Sequence, residues 1–237
     1  NIDLAATRAR GITVCNIPAY SAQRVAHTAI MLLLCLSSSM GAQIRMLERG
    51  DRSNFTRCLG LDHVEVNGKT LGLIGAGSIG RAVMKIALAL DMEVLVCSRT
   101  PRDYGPGVTC AGLEELLRRS DYVSLHCPLT DATRHLINKD TLSLMKPTAF
   151  LINTSRGALV DEAALIDALK AGTIAGAGLD VQETEPPAAD NPLYTMENVI
   201  LTPHMGWKGL ETRQRLISLL AGNIAAYLEG SPINVVG

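Results

Sequence analysis

The stretch Thr70-Leu-Gly-Leu-Ile-Gly-Ala-Gly-Ser-Ile-Gly80 joins a short apolar run to a G-x-G-x-x-G pattern. This pattern indicates a dinucleotide site only where it follows a strand and begins a helix, and the neighbouring sequence predicts both elements. In that setting Gly75 permits a tight turn, Gly77 lets the backbone approach a pyrophosphate, and Gly80 lets helix and strand pack closely. The free N–H groups of the helix N-terminus then face the phosphates. The stretch predicts a dinucleotide site, and a glycine-rich turn without a ligand is the alternative.

Short aliphatic runs and helix-length amphipathic segments alternate beyond this stretch. The predicted strands are residues 71–75, 93–97, 122–126, 149–153, 174–180 and 199–201. The predicted helices are residues 79–90, 113–119, 139–145, 162–171 and 209–229. Such alternation is typical of a parallel sheet covered on both faces. We predict an α/β fold with a doubly wound, mostly parallel Rossmann-type sheet, and a loop at residues 182–198, where prolines leave no room for a regular helix.

The text before the glycine pattern is less regular. Its predicted elements are a helix at residues 3–10, a strand at 12–15, a long helix from its candidate N-cap Ser21 toward Arg49, and an irregular arm at 50–69.

Composition narrows the function classes. The chain has 237 residues and a formal net charge of −1, so no basic surface favours nucleic acid. Its longest apolar run, residues 29–36, is far shorter than the roughly 20 residues that cross a bilayer, and no leader pattern is visible. The six cysteines form no C-x-x-C pair, and we interpret them as free, buried thiols in a reducing compartment, with no metal role. We expect a soluble, cytoplasmic protein.

The end of the second predicted strand determines which dinucleotide is favoured. An Asp or Glu about 20 residues after the first glycine would bind the 2′-hydroxyl of NAD. Here the text is Ser98-Arg99-Thr100, with Arg102 close behind. Ser98 removes the carboxylate that would repel a 2′-phosphate, and Arg99 can pair with that phosphate. We therefore favour NADP(H), with NAD(H) as the alternative if Arg99 is only a solvated loop residue.

Three polar residues follow predicted strands, where open α/β sheets place their ligands. They are Arg156, Glu185 and His204. An Arg can hold a substrate carboxylate with two hydrogen bonds, a His can donate a proton near neutral pH, and a carboxylate beside it stabilises the imidazolium. This set suits the reduction of a 2-keto acid. Two alternatives stay open: Glu183 as the histidine's partner, and Arg156 as a cap of its strand end.

Much of the sequence resembles the D-isomer-specific 2-hydroxyacid dehydrogenase family. The matching stretches are Asn1-Ile-Asp-Leu-Ala-Ala, Asn16-Ile-Pro-Ala-Tyr-Ser21, Gly68-Lys-Thr-Leu-Gly-Leu-Ile-Gly-Ala-Gly-Ser-Ile-Gly-Arg81, His126-Cys-Pro-Leu-Thr130, Met145-Lys-Pro-Thr-Ala-Phe-Leu-Ile-Asn-Thr-Ser-Arg-Gly-Ala-Leu-Val-Asp-Glu162, Gly178-Leu-Asp-Val181, Glu185-Pro-Pro187 and Thr202-Pro-His204. The resemblance implies that Arg156, Glu185 and His204 are the catalytic set. It also implies cofactor contacts, with the Asp reaching the nicotinamide amide, at Ser78, Ile79, Cys127, Pro128, Thr133, Thr154, Asp180 and Gly206.

Within the family, Glu185-Pro-Pro-Ala-Ala-Asp-Asn-Pro192 and His204-Met-Gly-Trp207 are most similar to glycerate dehydrogenases, also called hydroxypyruvate reductases. The resemblance therefore implies hydroxypyruvate or glyoxylate as the oxidised substrate. Trp207 is a candidate for lining the substrate pocket, or an ordinary packing aromatic. Relatives that act on 3-phosphoglycerate are a less favoured alternative. A non-catalytic dinucleotide sensor or corepressor of the same fold is another, although such a module has no need of all three polar residues.

The resemblance also implies a two-domain plan with a smaller, flavodoxin-like substrate domain. In this plan residues 1–20 are a remnant of that domain, 21–207 are the dinucleotide-binding domain with a linking helix at 21–49 and an arm at 50–69, and 208–237 are a returning helix and tail. We expect that upstream sequence, including the loop that holds the substrate carboxylate, is missing, so that cofactor binding survives better than turnover. The family further implies a homodimer through the arm, although Arg52 and Phe55 stand where a Trp is often found.

Overall fold

A seven-stranded, entirely parallel sheet organises the computed structural model, which describes residues 2–56 and 60–236. The strands are β1 (Thr70–Ile74), β2 (Glu93–Cys97), β3 (Val108–Cys110), β4 (Tyr122–Leu125), β5 (Phe150–Asn153), β6 (Gly176–Leu179) and β7 (Val199–Leu201). Their order across the sheet is β3-β2-β1-β4-β5-β6-β7. The strand order turns at β1, so β2 and β4 flank it, and the crevice beyond the carboxyl end of β1 is where this class of sheet holds ligands. The predicted α/β Rossmann-type fold is confirmed.

Helices cover both faces of the sheet. The helices of the described residues are α1 (Leu4–Ala9), α2 (Ala22–Ser37), α3 (Met40–Glu48), α4 (Ser78–Ala89), α5 (Leu113–Arg119), α6 (Lys139–Leu142), α7 (Glu162–Lys170) and α8 (Leu210–Leu228); α1 and α8 contribute to neither of the two cores. Alternate residues of each strand enter two separate cores. Leu71 and Leu73 of β1 pack with α2 and α4, whereas Ile74 belongs to the core that contains α5, α6 and α7. Burial on both faces explains why these strands are continuous apolar runs.

Two predictions about the amino-terminal part are wrong. Residues 12–15 form no strand, and Cys15 makes only an isolated bridge with Val235. The long helix expected toward Arg49 is two helices, α2 and α3, that meet at 67°. The break lies at Ser39, which has a φ of 47° and donates its hydroxyl to the Asp62 carbonyl. Serine hydroxyls that bond to the backbone compete with helix continuation in this way. Ser21 lies at the N-cap position of α2 but makes no side-chain cap bond.

The sequence prediction also missed β3. This strand has three residues, lies at the edge of the sheet beside β2, and is mostly exposed, so it has no apolar signature. Most other bounds differ by one to three residues, and α6 ends at Leu142 rather than at residue 145 because Ser143 turns its hydroxyl back to the Asp140 carbonyl. The arm contains a 3-10 turn at Ser53–Phe55, and the loop at 182–198 contains another at Pro192–Tyr194.

Cys15, Cys35, Cys97, Cys110 and Cys127 are free thiols, as expected, but none of these five is fully buried, which corrects the expectation of buried positions; Cys58 lies outside the described residues. No single helix of the described ranges is long and apolar enough to cross a bilayer, and α2 with α3 meets that requirement only as a bent pair.

Candidate active site

The glycine loop after β1 has the geometry that its sequence predicts. Gly75 has a φ of +100°, and a Cβ there would lie 2.7 Å from the Cys127 nitrogen, so any side chain would meet the neighbouring loop. A Cβ at Gly80 would overlap the Gly75 carbonyl. Gly77, the N-cap of α4, has nothing within 4 Å of its missing Cβ. The loop is therefore packed tightly on its inner side and open at Gly77, where the first N–H groups of α4 lack helical partners.

An outer cleft of about 530 Å³ lies beside this loop. The predicted cofactor residues that line it are Gly75, Gly77, Ser98, Arg99, Thr100, Cys127, Pro128 and Thr133. Residues not predicted as cofactor contacts also line it, namely Arg81, Arg102, Tyr104 and His126. The described lining thus contains three arginines and no Asp or Glu, which makes the cleft electropositive. The Ser98 hydroxyl donates to the Thr100 carbonyl at 3.1 Å, which fixes the turn after β2.

An inner cleft of about 680 Å³ adjoins the outer one and shares its Cys127 and Pro128 wall. The predicted residues that line it are Ile79, Cys127, Pro128, Thr154, Arg156, Asp180, His204, Gly206 and Trp207. Sequence reasoning missed Tyr20, Ser21 and His126 here. His126 follows β4 directly, so the strand-end rule could have found it, whereas the other two come from a distant part of the chain. Ser78, Gly80 and Glu185 line neither cleft.

Glu185 reaches the inner cleft through His204. The Nδ1 atom of His204 lies 2.7 Å from Glu185 Oε2, and Glu185 Oε1 accepts the Gln182 N–H at 3.1 Å. Glu183, the alternative partner, instead lies 2.6 Å from Nε2 of His135. The structure therefore brings His204 together with Glu185 and not with Glu183. With Nδ1 bound to the carboxylate, the Nε2 atom of His204 is the ring nitrogen left for a ligand.

Asp180 holds the loop that carries His204. This carboxylate is buried, and it accepts the Thr202 hydroxyl at 2.6 Å and the N–H groups of Met205 and Gly206 at 2.8 Å each. His204 has a φ of 47°, a strained conformation for a residue with a side chain. Three hydrogen bonds to one carboxylate on both sides of His204 stabilise that conformation. This anchoring role of Asp180 had no signal in the sequence.

Arg156 lies on a short loop after β5 that buried Asn153 shapes. The Asn153 amide donates to the Arg156 carbonyl at 2.8 Å and accepts the Ser155 N–H at 3.0 Å. The Arg156 side chain is exposed to the inner cleft and makes one bond, from Nη1 to the Ser155 carbonyl at 2.7 Å. Within residues 2–56 and 60–236 no carboxylate forms an ion pair with Arg156, and the residue lines the inner cleft.

Burial determines the charge of three other groups in the cleft walls. It lowers the pKa of His126 to about 4, so this imidazole is neutral at neutral pH. It raises the pKa of the Cys97 and Cys127 thiols, which are therefore protonated and poor nucleophiles. Of the two histidines in the described lining, His204 alone has a carboxylate partner.

The residues present fit a dinucleotide. Gly77 leaves open space beside the α4 N-terminus, and Arg99 contributes positive charge where a ribose phosphate would lie. The buried Thr154 hydroxyl has no hydrogen-bond partner among the described residues, and it lines the inner cleft. A buried hydroxyl without a partner is costly, which favours a ligand that supplies one. The inner cleft then combines the Arg156 guanidinium, which has no carboxylate partner among the described residues, with an imidazole that a carboxylate supports.

Comparison with known proteins gives consistent matches over the whole chain. Residues 30–206 match the family model for the D-isomer specific 2-hydroxyacid dehydrogenase, NAD binding domain. The chain is 40% identical over 240 residues to a hydroxypyruvate reductase of Blautia hydrogenotrophica, which covers 99% of this chain and 74% of that protein. It is 41% identical over 240 residues to a glyoxylate reductase of Korarchaeum cryptofilum, covering 100% and 72%. A solved acyclic imino acid reductase in complex with NADPH and D-Arg superposes with a TM-score of 0.87 at 37% identity, over 100% of this chain and 75% of that one.

Proposed function

Because the chain belongs to the D-isomer specific 2-hydroxyacid dehydrogenase family, we propose that it reduces hydroxypyruvate or glyoxylate to the corresponding 2-hydroxy acid, with NADPH preferred to NADH. The kind of reaction, hydride exchange between a 2-keto acid and a 2-hydroxy acid, is that of the family. The relatives named hydroxypyruvate reductase and glyoxylate reductase support the substrate class. The single observation that carries the proposal is the His204–Glu185 pair at 2.7 Å in a cleft that Arg156 also lines.

Arg156 orients the substrate. A 2-keto acid presents a carboxylate next to the carbonyl that is reduced, and a guanidinium binds such a group with two parallel hydrogen bonds. The Asn153 amide fixes the Arg156 backbone, so the guanidinium starts from a defined position at the end of β5. A fixed carboxylate restricts the keto carbon to one orientation, and restriction of this kind lowers the barrier of the reaction.

His204 supplies the proton and Glu185 supports it. A reduced nicotinamide bound in these clefts would supply the hydride, and the carbonyl oxygen of the substrate would then carry negative charge. The Nε2 atom of His204 donates a proton to that oxygen, while Glu185 stabilises the imidazolium beforehand and holds the ring in place. Positioned acid help of this kind is typically worth about 10²- to 10⁴-fold in rate.

The charge of the outer cleft supports NADPH. Ser98 stands where a carboxylate would select NAD, and Arg81, Arg99 and Arg102 are the charged residues of the described lining. A 2′-phosphate gains charge-assisted hydrogen bonds from such a cluster. The solved relative with NADPH shows that a structural neighbour of this chain binds that cofactor.

We propose a cytoplasmic homodimer as the setting for this activity. The support is a row of exposed apolar side chains on α3 and the arm, including Ile44, Leu47 and Phe55, the last 77% exposed. Exposed apolar groups that cluster in this way favour a protein contact.

Calorimetric titration of the full chain with NADPH and NADH separately, followed by hydroxypyruvate or glyoxylate while nicotinamide absorbance is recorded, tests the proposal. We expect tighter NADPH binding and loss of absorbance on addition of the keto acid. His204→Ala should abolish the absorbance change and leave the NADPH affinity within about twofold, because its imidazole acts on the substrate. His27→Ala is the matched control, since His27 is exposed on α2. Unchanged reduction by His204→Ala would contradict the proton assignment, and NADPH binding without any turnover would favour a non-catalytic module.

A further inference from the structure

Two glutamates of one turn reach two different histidines. We call residues 182–185 the glutamate turn. Glu185 contacts His204 in the inner cleft, whereas Glu183, two residues earlier, lies 2.6 Å from His135 Nε2. His135 belongs to the loop between β4 and α6 and lines neither cleft. The second pair therefore lies outside the site to which the first pair belongs.

Glu183 is also bound to α7 through a reciprocal pair of hydrogen bonds. Its Oε2 accepts the N–H of Glu162, the first residue of α7, at 3.3 Å. Its own N–H donates to Glu162 Oε2 at 3.2 Å. The other Glu162 oxygen accepts the Asn191 amide at 2.7 Å. Side chain and backbone of Glu183 are thus both held, and the carboxylate contacts two separate elements of the fold.

The held residue is connected to the catalytic candidates on both sides. The N–H of Gln182 donates to Glu185 Oε1, so the backbone next to Glu183 orients the carboxylate that supports His204. Gly157, the residue after Arg156, packs directly against the same backbone, since a Cβ there would overlap the Gln182 carbonyl and lie beside the Glu183 nitrogen. A shift of Glu183 would therefore displace the Glu185 carboxylate and press on the arginine loop.

We propose that Glu183 is a positioning residue for the reduction, and that His135 and Glu162 hold it so that Glu185 stays aligned with His204. This inference rests on the function proposed above. An exposed ion pair alone contributes little to stability, and His135 and Glu183 are 39% and 31% exposed. The ion pair between His135 and Glu183 instead fixes the position of Glu183. Position matters because misplacing a catalytic group by about 1 Å can lower the rate about 100-fold.

Three variants of the full chain test the proposal: Glu183→Ala, His135→Ala and Glu183→Gln. Glu183→Ala should lower kcat for hydroxypyruvate about 10- to 100-fold, with KM and the NADPH dissociation constant within about twofold, because neither cleft loses a lining residue. His135→Ala should lower kcat by a smaller factor, since the Glu162 bonds persist. Glu183→Gln should restore kcat to within about threefold of wild type, because the amide oxygen accepts the Glu162 N–H and its NH₂ donates to His135.

A spectroscopic readout separates positioning from general loss of structure. The imidazole N–H that bonds Glu185 gives a low-field proton resonance, identified by its absence in His204→Ala. It should weaken or disappear in Glu183→Ala and persist in Glu183→Gln. Glu115→Ala, which breaks the exposed ion pair between Glu115 and Arg119, is the control and should change neither kcat nor the resonance.

The outcomes distinguish this inference from the proposed function. Wild-type kcat and resonance in Glu183→Ala would overturn the positioning role. So would a fall in kcat with equal losses of substrate and cofactor affinity, which indicates general damage. If the wild-type chain reduces no keto acid, the proposed function fails, but the resonance still reports whether Glu183 holds Glu185 against His204. His135→Ala, which changes an exposed side chain, keeps the test decisive if Glu183→Ala does not fold.

Discussion

Replacing His126 with Asn removes a buried imidazole. We expect the free energy of unfolding to depend less on pH in the acidic range after this change. His126 follows β4 at the wall between the two clefts, and its Nε2 lies 2.9 Å from the Ser124 hydroxyl. Its Nδ1 has no hydrogen-bond partner among the described residues. A proton added to the ring would therefore place a charge in a buried position without an acceptor. Asn keeps a polar group beside Ser124 but does not titrate.

The magnitude follows from the difference between folded and unfolded states. Burial lowers the pKa of His126 from 6.5 to about 4. Between these values the unfolded chain binds a proton that the folded chain does not, so the free energy of unfolding falls as the pH falls below 6.5. The pKa difference of about 2.5, at about 1.4 kcal/mol for a pKa change of one, gives about 3.5 kcal/mol overall. Roughly 2 to 3 kcal/mol of this is lost by about pH 4.5.

Urea unfolding of wild type, His126→Asn and His27→Asn at about pH 7.5 and about pH 4.5 measures this difference. Other groups also titrate in this range. The quantity to compare is therefore the decrease in the free energy of unfolding between the two pH values in wild type, minus the same decrease in His126→Asn. We expect it to be about 2 kcal/mol or more, with His27→Asn behaving like wild type because His27 is exposed. If the free energy of unfolding decreases equally with pH in wild type and in His126→Asn, the reasoning is refuted. His126 has no carboxylate partner among the described residues, whereas His204, the other histidine of the inner-cleft lining, contacts Glu185.

Three further predictions concern the cofactor and the loops around it. Ser98→Asp combined with Arg99→Ala adds a carboxylate and removes a phosphate partner, so the preference for NADPH over NADH in calorimetric titration should fall at least about tenfold; an unchanged ratio would contradict the specificity argument. Asp180→Asn replaces a hydrogen-bond acceptor with a donor that faces main-chain N–H groups. The free energy of unfolding measured in urea should therefore fall by about 2 to 4 kcal/mol, and an unfolding midpoint equal to that of wild type would exclude the anchoring role. Gly80→Ala forces a methyl group onto a main-chain carbonyl of the glycine loop and should weaken NADPH binding at least about tenfold, whereas Gly222→Ala, with open space around it, should not.

The parallel sheet could be predicted from the sequence because burial on both faces leaves a strong local signal. The bounds of β2, β7 and α5 agree with the expected ones at both ends. Each is a compact apolar or amphipathic run with polar residues or glycine beside it. In contrast, the edge strand β3 is held by pairing with β2 rather than by burial, and its residues alone do not show it.

Long-range contacts explain the amino-terminal errors. The break between α2 and α3 depends on the Ser39 hydroxyl finding the Asp62 carbonyl, 23 residues away. The apolar run at 12–15 predicts a strand, but among the described residues it pairs through an isolated bridge, from Cys15 to Val235, and through the Val14 carbonyl, which accepts the Val236 N–H; both partners lie near the other end of the chain. Periodicity reports local burial, so it cannot report partners this distant.

The same distinction between local signals and long-range contacts applies to the candidate site. Arg156 and His204 are candidates because each follows a strand, and parallel strands bring their carboxyl ends to one edge; the structure places both in the lining of the inner cleft, and their catalytic roles stay a prediction. Position alone leaves Glu183 and Glu185 both open as partners of His204, because they are glutamates of one loop, and the family resemblance favours Glu185, which is the one that contacts His204. The turn that carries both glutamates packs against Gly157, a long-range contact that no local pattern encodes.

The two histidines that these glutamates contact share an unusual backbone. His135 has a φ of 51° and His204 a φ of 47°, a left-handed conformation that a side chain disfavours. Each is held on its backbone side by the fold: the His135 N–H by the Ala158 carbonyl, and the His204 loop by Asp180. Each is held on its ring side by one carboxylate of a single turn. Strain of this kind persists only where the surroundings determine it from several directions. The glutamate turn is the element common to both, and the two carboxylates that hold these rings are only two residues apart in the chain.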